Sequence, residues 1–137
     1  MKREIKFRGK DVFTGEWVYG DLVRNMKITE DGLVPRAMVG GYEVNPKTVG
    51  QFTGLHDHDG REIYEGDIIR SSQVYHFVGY NDSRGAFTVT LIDVYMDNDL
   101  KTECNIEQGW IRRTKKVLAG NIHDNPEIMQ QQGKLRK

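Results

Sequence analysis

Short apolar runs, each closed off by glycine, asparagine, aspartate or proline, succeed one another along the whole chain, and 15 of its 137 residues are glycine. That punctuation leaves no room for a long amphipathic helix, whose apolar residues must recur at helical spacing over several turns. Short antiparallel strands joined by tight turns remain. In Arg3–Arg8 the order Arg-Glu-Ile-Lys-Phe-Arg puts Ile5 and Phe7 on one side and Glu4, Lys6 and Arg8 on the other, which predicts a first, half-buried strand. Glu16–Val23 resumes an aromatic and β-branched run with Trp17 and Tyr19 on a shared face. Glu30-Asp31-Gly32 predicts a turn, and Pro35 pushes Ala37–Val39 toward a sheet edge. Asn45-Pro46 opens one helical turn, and Asp59-Gly60 marks a hairpin tip between Gln51–Thr53 and Glu62–Tyr64.

Beyond Glu65-Gly66-Asp67 the runs Ile68-Ile69, Val74–Val78 and Ala86–Ile92 predict three more strands, the last two joined by a turn at Asn81–Gly85. Asp97–Gln108 is polar and aperiodic, an excursion or irregular edge. Trp110-Ile111 begins another strand-like stretch, and Val117–Ile122 could close the sheet. Asn125-Pro126-Glu127 reads as a helix N-cap with proline at the first helical position, before a frayed tail. The expected fold is therefore mainly β and antiparallel, with a small barrel and a short C-terminal helical turn. Trp17, Tyr19, Phe52, Tyr64, Phe77 and Phe87, each in an alternating apolar run, are expected in its core.

The balance of charge excludes one class of function. Twenty Lys and Arg against 20 Asp and Glu leave a formal charge of zero, so no global field holds polyanions, and nucleic-acid binding would need a local patch. No apolar stretch is long enough for a secretory signal or a bilayer span, and charged residues break every apolar run. Cys104 is the single cysteine, which excludes an internal disulfide and a zinc site of paired cysteines. A cytoplasmic protein without membrane contact is expected.

The string VGQFTGLHDHDGREIYEGDII, Val49–Ile69, resembles the signature of the YopX family of small phage and prophage proteins. The resemblance extends to REIKFRG (Arg3–Gly9), WVYGDLV (Trp17–Val23) and GNIHDNPEI (Gly120–Ile128), and so to essentially the full length; between about Met26 and Tyr42 and between Asp93 and Thr114 it is loose, as where loops vary. It implies a phage-derived accessory protein with an SH3-like barrel starting near EGDII: an N-terminal β segment over residues 1–60, the barrel over 61–130 and a frayed tail over 131–137. The family has also been described as mostly helical and trimeric; the strand periodicity argues against the helices, and a homo-oligomer is left open. The resemblance supplies no catalytic residue and no cofactor.

Candidate chemistry is sparse. His56 and His58, two apart in an extended segment, project to one side and could chelate a divalent metal with Asp57 or Asp59, but a stable site needs three or four ligands and the hairpin tip explains the same residues. An EF-hand is excluded: with Gly60 as its glycine, Leu55 falls at the first ligand position and Gly66 at the bidentate one. Glu62, Glu65 and Asp67 read as turn and edge carboxylates, and Cys104, beside Glu103, has no cation to stabilise a thiolate. Trp110, Arg112, Arg113, Lys115 and Lys116, with Lys134, Arg136 and Lys137 of the tail, could form a local phosphate-tracking patch, although on a strand the cations of the first stretch would split between two faces. The expected role is a non-enzymatic module that binds a host or phage protein, with nucleic-acid binding through the Trp110–Lys116 stretch as the alternative.

Overall fold

The computed structural model describes residues 3–92 and 103–128. The chain divides into two compact units, Met1–Phe52 and Thr53–Lys137. Both are built from antiparallel strands, as the alternation and the turn residues require.

In the first unit, β1 (Phe7–Lys10) pairs with β2 (Trp17–Gly20) on one side and with the start of β6 (Gly50–His56) on the other. The strand predicted over Arg3–Arg8 thus lies further along, and Ile5 is 53% exposed. A second sheet, in the order β3-β4-β5, consists of β3 (Leu22–Thr29), β4 (Gly32–Val39) and β5 (Tyr42–Val44). The two are joined at Asp11, which bridges to Val44, and by the amide of Asn45 donating to the carbonyl of Lys10 at 2.9 Å. Ala37, Val39 and Val44 are fully buried, with Phe7, Val18, Leu22 and Val49 packed around them. Gly40 turns β4 into β5 where only glycine fits: its φ is +58°, and a Cβ there would stand 2.5 Å from the carbonyl oxygen of Tyr19.

Ala37–Val39 is not the edge that Pro35 suggested. These residues pair with β3 on one side and β5 on the other, at the centre of their sheet. Pairing to β5 covers only Ala37–Val39, so Pro35 sits just past its reach, where the missing N–H leaves no ladder bond unmade. Asn45 caps the expected helical turn, Pro46–Thr48, through its side-chain oxygen.

In the second unit the end of β6 meets β7 (Glu62–Tyr64), and a five-stranded sheet runs in the order β11-β10-β9-β8-β12. Its strands are β8 (Asp67–Ser71), β9 (Val74–Asn81), β10 (Ala86–Ile92), β11 (Glu103–Asn105) and β12 (Val117–Asn121). The sheet does not close into a barrel. Its edges β11 and β12 lie at opposite ends, and the core is covered instead by α1 (Gln108–Arg113), where a strand was expected. Ile111 of that helix joins Ile63, Ile69, Val78 and Val89 in the buried cluster, with Trp110 against it. Residues 126–128 are helical after Asn125, as the Asn-Pro-Glu sequence predicts. Of the polar excursion, residues 97–102 lie outside the described residues, and Glu103–Asn105 form the edge strand.

The aromatic expectation holds unevenly. Phe52 and Tyr64 are buried, Trp17, Phe77 and Phe87 are half-buried, and Tyr19 is exposed over half its surface. Tyr19 shares a sheet face with Arg8, its partner across the ladder, while the opposite face packs on the core through Phe7 and Val18.

Gly66 shapes the turn into β8. It is buried with φ +97°, its N–H donates to Val78 at 2.8 Å and its carbonyl accepts from Ile122 at 3.0 Å. A β-branched residue there must leave the left-handed region or bear its strain, so Gly66→Val should cost about 1–3 kcal/mol in a denaturant melt, while Gly32→Ala on the exposed hairpin costs less.

Candidate functional site

The two sequence-predicted sites lie in the second unit. His56 ends β6 and His58 lies in the turn, both exposed, and among the described residues no group of three or more His, Cys, Asp or Glu has a metal-binding arrangement. The residue between them is the organised one. Asp57 is 3% exposed; its Oδ1 accepts from the amides of Asp59 at 2.9 Å and Arg61 at 2.8 Å, and its Oδ2 from Arg61 Nε at 3.0 Å and the amide of Leu118 at 3.0 Å. Burial opposes its ionisation, but the backbone amides of Leu118 and Arg61, the Arg61 charge and the amide of Asp59 together hold the carboxyl below its ordinary value. With its lone pairs so committed, Asp57 is a fastener between loop and β12 rather than a metal ligand. Asp67 is similarly engaged, accepting from the amide of Tyr64 at 2.7 Å, and Cys104 is exposed on β11.

The basic stretch is divided by a helix end. Arg112 and Arg113 fill the last turn of α1, where cations meet the negative end of the helix dipole. The chain then leaves through a Schellman motif: Lys116 N–H bonds to Ile111 at 3.0 Å, Lys115 N–H to Arg112 at 3.3 Å, and Lys115 takes φ +55°. Lys116 is thereby turned inward. It is 3% exposed, its Nζ lies 5.3 Å from the centre of the Trp110 ring, and burial lowers its pKa. Arg112, Arg113 and Lys115 stay exposed; Trp110 and Lys116 are taken up by packing, and Lys134, Arg136 and Lys137 lie outside the described residues.

Edge-on to Trp110, with ring centres 4.9 Å apart, stands His76, whose buried Nδ1 has no hydrogen-bond partner among the described residues. Desolvation first, and then the Lys116 charge, push its pKa down from 6.5 to about 4.

The least expected surface is in the first unit. The β3–β4 hairpin register places Leu22, Arg24, Met26 and Ile28 of β3 on one face with Val39, Ala37, Pro35 and Leu33 of β4. At its base this face is core. Toward the tip it stays apolar but uncovered: Met26 is 52% exposed, Leu33 62% and Ile28 84%. A groove of about 370 Å³ lies between base and tip, bordered by Arg24, Met26, Pro35, Ala37 and Pro46. On the opposite face the polar residues are matched, Lys27 to Glu43 at 3.0 Å and Arg36 Nε to Asn25 at 2.8 Å. Arg24 has no ion pair or hydrogen bond from its side chain among the described residues. None of these residues was expected from the sequence to form a binding surface. The available signal was an apolar alternation through β4 and, broken only by Arg24, through β3, longer than a unit this small can cover.

Two measurements follow from the second unit. Between about pH 4 and 6.5 the unfolded chain protonates His76 and the fold does not, so stability falls as pH drops through that window; the His76 contribution is complete by about pH 4, below which the loss of the Asp57 charge takes over, and His76→Phe should flatten the fall between about pH 6.5 and 4 in melts taken across the range. Because Lys115 bears a left-handed conformation that glycine takes without penalty, Lys115→Gly should raise stability by about 0.5–1 kcal/mol in the same melts.

A sequence profile for the family described as "YopX protein" matches residues 6–130. No match is found among curated proteins. Among solved structures, the crystal structure of protein EF1440 from Enterococcus faecalis is similar in fold, with a TM-score of 0.55 and 22% identity over 93% of this chain and 99% of that one. No helix among the described residues is long and apolar enough to cross a membrane. With the profile spanning both units and nearly every described strand, the chain belongs to the YopX family.

Proposed function

We infer that the protein is a non-enzymatic interaction module that binds another protein, of host or phage, through the β3–β4 hairpin. The observation that carries this is the apolar face that outruns its own core, ending in Met26, Ile28 and Leu33 in solvent. Single exposed apolar residues are ordinary; a contiguous stripe on a projecting hairpin, bordered by unmatched Arg24, is the mark of a surface meant to be covered. Full burial of side chains of this size is worth about 1.5–3 kcal/mol each, enough for three of them to anchor a complex.

Nucleic-acid binding is the second reading, supported by the exposure of Arg112, Arg113 and Lys115 within four consecutive positions. The helix end already gives those cations a structural reason, and the aromatic that would stack a base packs against the core. Binding of this kind would weaken steeply with salt.

One experiment separates the two. Tagged protein is used to capture partners from host lysate with and without nuclease treatment, beside an Ile28→Asp/Leu33→Asp variant and an Arg112→Ala/Arg113→Ala/Lys115→Ala variant. The expected result is a protein companion retained by the wild type and the triple variant but lost from the Ile28→Asp/Leu33→Asp variant, whose two carboxylates, directly opposite each other, cost the hairpin about 1–2 kcal/mol and leave the rest of the fold in place. A companion that persists on the Ile28→Asp/Leu33→Asp variant overturns the hairpin reading; a nuclease-sensitive companion lost only from the triple variant establishes the second.

A further inference from the structure

The hairpin offers more than an apolar surface. β3 ends its sheet, and among the described residues it pairs only with β4. Along its eight residues the backbone N–H and C=O groups of alternate positions therefore point away from β4, a template for one more strand. The opposite margin of the hairpin is less receptive: there β4 is occupied by β5 at Ala37–Val39 and interrupted by Pro35.

Side chains along the open edge set a pattern. On the face that continues the core they read Leu22, Arg24, Met26, Ile28, one cation among three apolar residues, with the groove beside Arg24 and Met26. On the other face, Lys27 is already neutralised by Glu43, so Arg24 is the cation left to be matched. A second copy of this chain fits poorly, because two-fold antiparallel β3–β3 pairing sets residues of one face opposite each other, and that face offers Arg24 only Leu22, Met26, Ile28 or a second Arg24, never a carboxylate. A foreign strand carrying a carboxylate opposite Arg24 supplies the counter-charge that a second β3 lacks.

We propose that β3 takes an extended segment of a partner protein by antiparallel strand addition, the segment reading apolar-x-apolar-x-acid so that its apolar residues cover Ile28 and Met26 and its carboxylate meets Arg24. This rests on the reading of the hairpin as the protein-binding surface and names the class of segment it takes. Main-chain bonds along the edge supply attachment, while the apolar pair and the carboxylate select the sequence.

The test is a titration of the isotope-labelled full chain with the peptide Thr-Val-Thr-Val-Thr-Glu-Thr, blocked at both ends, followed by amide chemical shifts up to millimolar peptide. The expected result is saturable shifts confined to β3 and the groove, with binding at least tenfold weaker for the peptide carrying Lys in place of Glu. Arg24→Glu should reverse that preference while leaving the fold's other amide shifts in place. Equal binding of the two peptides, shifts centred elsewhere, or no shifts at all would overturn the proposal. So would a chain that is dimeric in sedimentation with its β3 amides protected, which would assign the edge to a second copy. The hairpin reading fails separately: if capture from lysate is lost with Ile28→Asp/Leu33→Asp but survives Arg24→Glu, the hairpin binds a partner and strand addition by an acidic segment is wrong.

Discussion

The carboxylate of Asp57 is the constraint on which the second unit is arranged. Its two oxygens gather three bonds from its own hairpin and one from Leu118, sixty-one residues away in sequence. The amide of His58 adds a bond to the carbonyl of Lys116 at 2.7 Å, so the tip of the β6–β7 hairpin is stitched to the chain as it enters β12. Hydrogen bonds to a charged group are worth about 1.5–3 kcal/mol each, and removing a buried acceptor strands its donors as well. Gln108 repeats the device from α1, its side-chain amide both donating to and accepting from the backbone of His56. Helix and edge strand are thus both fixed to one loop. The inward turn of Lys116 and the placement of Trp110 beside His76 follow from that anchoring.

The first unit is organised on a different principle. Its buried cluster is small, three fully buried residues and their neighbours, and the hairpin that supplies two of those three extends well past it. Core and exposed stripe are one continuous face of one pair of strands. What distinguishes them is only where β5 and the packing of Phe7, Val18 and Leu22 stop. The cations on β1 and just before it belong to a separate arrangement: Arg8 and Lys10 stack over Trp17, at 4.4 and 5.5 Å from the ring centre, and Lys6, which precedes the strand, over Phe52 at 5.1 Å.

Turn chemistry made much of this legible in advance. Glycine, asparagine and proline sit where the chain reverses, and Asp-Gly at 59–60, Asn-Pro at 45–46 and Gly66 each occupy the kind of turn their stereochemistry demands. Tertiary packing hid the rest. Trp110-Ile111 has the look of a strand because its two apolar residues are adjacent; they form a helix because Ile111 can then reach the buried cluster while Lys115, at positive φ, ends the turn. Sheet closure could not be read from strand periodicity, since an open sheet capped by a helix and a closed barrel share the same alternation. The exposed stripe was hidden for a related reason: alternation shows that a face is apolar and says nothing about how far its cover extends. Asp57 lay between two histidines that drew the eye to metal chemistry, and its burial depends on Leu118, a partner that local spacing does not reveal.

Pro35 gives the hairpin a handedness of use. A sheet fragment with two receptive margins can polymerise, each molecule taking a strand on one side and offering one on the other. Here one margin lacks an amide at Pro35 and is screened by β5, while the other is open along all of β3. For strand addition this three-stranded sheet would thus be monovalent: a segment taken up on β3 leaves no second open margin on the hairpin through which an assembly could grow.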